Sequence, residues 1–193
     1  MSDVLSVHIA EYTALRAEIC AFHNVEGQVM SITVALIGAL IGFVTAALAG
    51  QISGFKIGDD VMFLHLVPLP FVALGIIFAY TQVRTVQAAT YLQKCLRVQV
   101  IEVLGPPEKD KVWQWEIFRR EGAQYPVRTL AIFLNSVRWI FFIGPSLFPL
   151  SAWARHLDSV GAFLILVWDL ALPIFLIVLA AWTSVRLPRR VVS

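Results

Sequence analysis

The stretch SVGAFLILVWDLALPIFLIVLAAWTSV, residues 159–185, decides the fold class. Asp169 is its only charged residue. A helix of about 20 predominantly apolar residues crosses the ~30 Å hydrocarbon core of a bilayer, and this stretch is longer than that. Three more stretches share its character. No charge falls between Glu26 and Lys56 or between Asp60 and Arg84, and Thr129 to Ala154 holds only Arg138. The pattern predicts an all-α membrane protein with four transmembrane helices, over 28–52, 61–80, 131–153 and 160–185, joined to a cytoplasmic helical layer.

Composition agrees with a membrane bundle. The chain has 193 residues, 59% hydrophobic, and a mean hydropathy of +0.77, which excludes an ordinary soluble domain. The net charge of +2 is too small to argue for nucleic acid; its placement says more. The segment Thr81–Arg128 carries eight Lys/Arg, and Arg186, Arg189 and Arg190 fall in the basic tail 186–193. Positive charge gathers on the cytoplasmic side of inner-membrane proteins, so this segment and both termini are expected inside a bacterial inner membrane crossed several times. The first 27 residues carry Asp3, Glu11, Glu18 and Glu26 and show no compact apolar core of a cleavable signal. Cys20 and Cys95 then lie on the reducing side and read as small packing residues.

Residues 1–27 read as a cytoplasmic amphipathic helix, with Leu5, Ile9, Tyr12, Leu15, Ile19 and Phe22 spaced by three and four. Nothing breaks the pattern before the first span. In that span Gly38, Gly42, Ala46 and Gly50 recur every fourth residue, a spacing that lets helix backbones approach closely. They are the candidate packing face of a homo-oligomer, a tetramer being one option; packing within the chain is the alternative. The pattern after Tyr80 continues as a cytoplasmic stalk over 81–104, about 36 Å long at 1.5 Å per residue. It stops at Gly105-Pro106-Pro107. The apolar stripe of 3–27 suits this stalk as an antiparallel partner, and a short cytoplasmic helix follows over 108–121.

Two charges inside apolar stretches are the candidate pore or gate residues. A charge at bilayer depth costs about 2.5–3.5 kcal/mol even on lenient scales. Arg138 lies near the cytoplasmic end of its span, where its stem could carry the guanidinium to the headgroups. Asp169 is too short to do so. The two differ in depth by roughly 10 Å or more, counting from opposite faces, so a direct pair between them is not expected. Asp169 is either protonated and hydrogen-bonded or faces water, and in a symmetric oligomer the second option is a ring of carboxylates. His65 reads as packed rather than as a ligand.

The run from Lys109 to Arg120 mixes cations with rings, and Trp113, Trp115, Arg119 and Arg120 are the candidate ligand-binding residues. Rings stack on bases and guanidinium groups hold phosphate, as in nucleotide and single-strand sites. The same composition also suits a helix lying on cytoplasmic headgroups. No catalytic, metal or cofactor signature is present: HExxH, a phosphate loop, GxSxG and clustered Cys/His are all missing. An enzyme is therefore not expected.

Residues Glu11 to Ile19 read E-Y-x-x-L-R-x-E-I directly ahead of an apolar span. This segment resembles the N-terminal part of small multi-span bacterial membrane effectors, of the Hailong type, encoded beside nucleotidyltransferases in anti-phage defence. The resemblance covers about 20 residues and the span layout. It implies a homo-oligomeric channel that depolarises the inner membrane under control of a nucleotide or oligonucleotide made by the partner enzyme. The expectation is thus a ligand-gated, pore-forming effector; the alternative is a non-channel membrane adaptor or assembly factor presenting its cytoplasmic helices to a protein. A carrier is a weaker third, since four spans are few for alternating access.

Overall fold

The structure, a computed structural model, describes residues 2–49, 65–105, 126–147 and 160–192. Among the described residues the chain is helical and contains no strand. Helix α1 is Ser2–Leu48 and α2 is Pro68–Tyr91. A π-helical turn, Leu92–Leu96, joins α2 to α3, Arg97–Leu104, and α4 is Pro126–Ser146 and α5 Val160–Val192. Among the described residues, three helical segments are long and apolar enough to cross a membrane: Asp3–Ala47, Pro68–Leu104 and Ile165–Thr183. Of the expected span over 131–153, residues 131–146 belong to α4, and 148–153 lie outside the described residues. Pro145 in its last turn has no N–H to give the carbonyl four residues back. The Leu147 N–H then closes the end on Ile143 O at 3.2 Å and Gly144 O at 3.1 Å.

The described residues form two compact units. One takes the described residues within 1–26, 80–135 and 183–193, the other those within 27–79 and 136–182. In the first unit the early part of α1 packs antiparallel on the end of α2 and the π turn. Ile19, Ala88, Leu92 and Leu96 are its buried core, with Tyr12, Leu15 and Ala89 against them. The direction follows from two polar contacts. Tyr91 Oη donates to Glu11 Oε1 at 2.7 Å, and Arg84 Nη2 meets Glu18 Oε1 at 3.5 Å, so the partner number falls as the number along α1 rises. The residues of the E-Y-x-x-L-R-x-E-I segment are thereby explained as a seam: Tyr12, Leu15 and Ile19 pack, while Glu11 and Glu18 hold the neighbouring helix.

The π turn has a reason in the same seam. Ala88, Leu92, Leu96 and Val100 are all buried, and a spacing of four drifts about 40° per step around an α-helix. One wider turn offsets that drift; there the Arg97 N–H reaches back five residues to Leu92 O. The helix then stops at Gly105, whose φ of 87° and ψ of 168° only glycine adopts without strain.

In the second unit α2, α4 and α5 share an aromatic core. Phe78, Trp139 and Phe142 are buried with ring centroids 5.3 to 5.7 Å apart, and the Phe78–Trp139 contact is edge-on. Gly75 sits one turn before Phe78. A Cβ added there would lie 2.8 Å from Leu176 Cδ2, so the missing side chain is what lets α5 reach the α2 backbone.

Candidate functional site

A buried acid–base pair lies inside the second unit. His65 Nδ1 and Asp169 Oδ2 are 2.7 Å apart, with the carboxylate side chain fully buried and the imidazole 14% exposed. Prolines shape both ends of this contact. His65 and Leu66 form a 3₁₀ turn immediately before α2. That helix opens on Pro68, where a fixed φ and a missing N–H cost nothing. Asp169 lies mid-way along the apolar run of α5, one turn before Pro173. Pro173 has no N–H to give the Asp169 carbonyl, so the helix is weakened at the residue that carries the acid. Pro68 and Pro173 are both fully buried.

At 2.7 Å a proton lies between nitrogen and oxygen. The pair is neutral overall as imidazolium with carboxylate, or as imidazole with carboxylic acid. With neutral imidazole donating to carboxylate it carries one negative charge. Two of these three forms place no net charge in the buried site, which is how a buried carboxyl escapes the cost of an isolated ion. The contact ties the turn before α2 to the middle of α5.

The sequence-derived candidates fall differently. Asp169 is buried against His65 within one chain rather than facing outward. Arg138 is exposed on α4, and no ion pair among the described residues joins it to Asp169. Gly38 and Gly42 have open space where a Cβ would stand, whereas Ala46 is half-buried and so turns away from that face. Gly50, Trp113, Trp115, Arg119 and Arg120 lie outside the described residues. Cys20 and Cys95, expected as packing residues, are both exposed free thiols. Among the described residues no group of His, Cys, Asp and Glu is placed to hold a metal ion.

His65 was not legible as Asp169's partner. The two stand 104 residues apart, and no periodicity relates a residue in a turn to one inside a helix. The available signal was weaker: an uncommon imidazole and an uncommon carboxylate, each stranded in an apolar stretch of the same chain. No protein-family model, curated protein or solved structure matches this chain.

Proposed function

We propose that this chain is a gated, pore-forming effector of a bacterial inner membrane, with four spans, both termini in the cytoplasm and several copies in the working assembly. The observation that carries the reading is the fully buried Asp169 held by His65. An anchor or an adaptor has no use for an acid inside its apolar unit, where ionisable groups mark ion and proton pathways or the devices that gate them. The pair is read as the gate latch: with it closed, the turn before α2 is fastened to α5. Nucleotide or oligonucleotide control, and the placing of the protein in anti-phage defence, are supported by the likeness of Glu11–Ile19 to Hailong-type effectors and by the cations and rings of 109–120. In this reading Trp113, Trp115, Arg119 and Arg120 receive a ligand from a partner nucleotidyltransferase on the cytoplasmic side. The test is membrane-potential dye fluorescence in cells expressing the chain with and without that enzyme. Depolarisation that needs both supports the effector; polarised cells in every combination leave the adaptor as the better account.

A further inference from the structure

Two cations in the first unit have no acid to answer them. Lys94 stands exposed on the π turn, and half-buried Arg97 opens α3 directly after it. Among the described residues neither enters an ion pair, whereas Arg84 on the same run of helix is held by Glu18. The Nε of Arg97 is covered and has no hydrogen-bond partner. A guanidinium that gives up water without gaining an acceptor destabilises the fold. An anion from outside the chain would remove that cost. Residues three apart on a helix are surface neighbours, so the two positive groups occupy adjoining positions.

The opposing helix adds a third group. The contacts Glu11 to Tyr91 and Glu18 to Arg84 set the register of the antiparallel pair. His8, three residues before Glu11, is therefore level with Lys94, three residues beyond Tyr91. Its side chain is 16% exposed, and its Nδ1 is covered without a hydrogen-bond partner. Glu11 Oε2, at 3.9 Å, is too far to serve as one. An imidazole donates from one ring nitrogen when neutral and from both when protonated. Three nitrogen groups with unused donors thus stand within about one helical turn of each other in level, on two packed helices.

The acids of this region are placed elsewhere. Glu11 already accepts from Tyr91 through Oε1 at 2.7 Å. Asp3 lies five residues from His8 and Glu102 five residues from Arg97, each about 140° round its own helix. The sign of the groups calls for an anion, and their kinds narrow its chemistry. An arginine fork grips two oxygens at once, a lysine adds a compact charge, and phosphate offers several oxygens to donors arriving from different directions. A wide turn inside an α-helix is also a recurrent mark of functional sites. We propose that His8, Lys94 and Arg97 form a binding site for a phosphate group, carried by a soluble nucleotide-like compound or by a lipid headgroup. The inference deepens the preceding reading and rests on it only for the cytoplasmic side of this unit; it uses none of the residues of 109–120.

Calorimetric titration of inorganic pyrophosphate into the full chain in neutral-detergent micelles tests the site. Lys94→Gln and Arg97→Gln should each weaken binding about tenfold or more, the usual loss for a hydrogen bond to a charged group. Lys94 is exposed, so its variant leaves the fold intact and its effect is not unfolding. Arg84→Gln, at a cation already paired with Glu18, should leave binding unchanged. Native mass spectrometry from micelles containing phosphatidylglycerol reads the other source: lipid retained by the unmodified chain and released by Arg97→Gln, without pyrophosphate binding, would assign the phosphate to a headgroup. Neither probe binding the unmodified chain would overturn the site, as would equal weakening by Arg84→Gln or equal competition by acetate. Binding lost in Trp115→Ala but kept in Lys94→Gln and Arg97→Gln would sink this site and leave nucleotide control standing. Pyrophosphate binding that follows Lys94 and Arg97 in a chain that never depolarises cells would keep the site and remove the effector.

Discussion

Asp169 is fully buried against His65, so its replacement separates an electrostatic role from a packing one. Asp169→Asn keeps the shape and still offers an oxygen to His65, but removes any ionised form. If the pair latches a gate, the variant should show altered open probability or cation preference in planar bilayers. His65→Gln should shift the same quantities, because the contact has two sides; identical single-channel currents in all three proteins would reduce the pair to a structural hydrogen bond. Gly75 makes the complementary case. With Leu176 Cδ2 2.8 Å from the Cβ position, Gly75→Leu should overpack the aromatic core and cost about 1–3 kcal/mol, read as a lower thermal midpoint in detergent. Gly42→Ala, with open space at its Cβ position inside α1, should not lower that midpoint and should raise it slightly, since glycine in a helix interior costs about 0.5–1 kcal/mol relative to alanine. The stranded acid was legible in the sequence because charge at membrane depth is rare and stands out. Its partner and the tight glycine were not, because both depend on which helices meet.

At the scale of elements, spacing of apolar residues was a sound guide for the early part of α1. The stripe Tyr12, Leu15, Ile19 found the antiparallel neighbour it called for, and Gly105 ends that neighbour where glycine and prolines interrupt the pattern. Periodicity could not reveal the π turn over Leu92–Leu96, since a spacing of four is compatible with a drifting α-helix or with one widened turn. Fully buried Leu96 lies at the end of that turn. Leu96→Ala should therefore cost about 2–5 kcal/mol, the usual loss for emptying a buried leucine site. Tyr91→Phe removes only the exposed bond to Glu11 and should cost less. Limited proteolysis around residues 80–104 checks the order: cutting should rise sharply for the first variant and little for the second. Equal resistance of Leu96→Ala and the unmodified chain would mean that the hairpin core does not hold this unit together.

For the whole molecule, the ligand and the sidedness of the membrane stand or fall together. Base stacking on a ring is worth about 1–3 kcal/mol, so Trp115→Ala should weaken binding of a labelled oligonucleotide roughly 5- to 150-fold in neutral detergent. Losing Arg119 should also flatten the dependence of binding on salt, since fewer counterions are released. If the run instead lies on headgroups, both variants should weaken attachment to anionic vesicles and leave ligand affinity alone. Either outcome presumes that 108–121 faces the cytoplasm, which rests on the basic residues of 81–128. The exposed thiols Cys20 and Cys95 make that orientation measurable without engineering, because burial does not shield them. Added to spheroplasts, a membrane-impermeant maleimide should leave both unlabelled and should label them after permeabilisation, while a cysteine placed at Ser53 in a thiol-free background should react from outside. Protection before permeabilisation then reports the bilayer rather than packing. Labelling of Cys95 from outside would invert the topology, and the proposed sensor would face away from any nucleotide made in the cytoplasm.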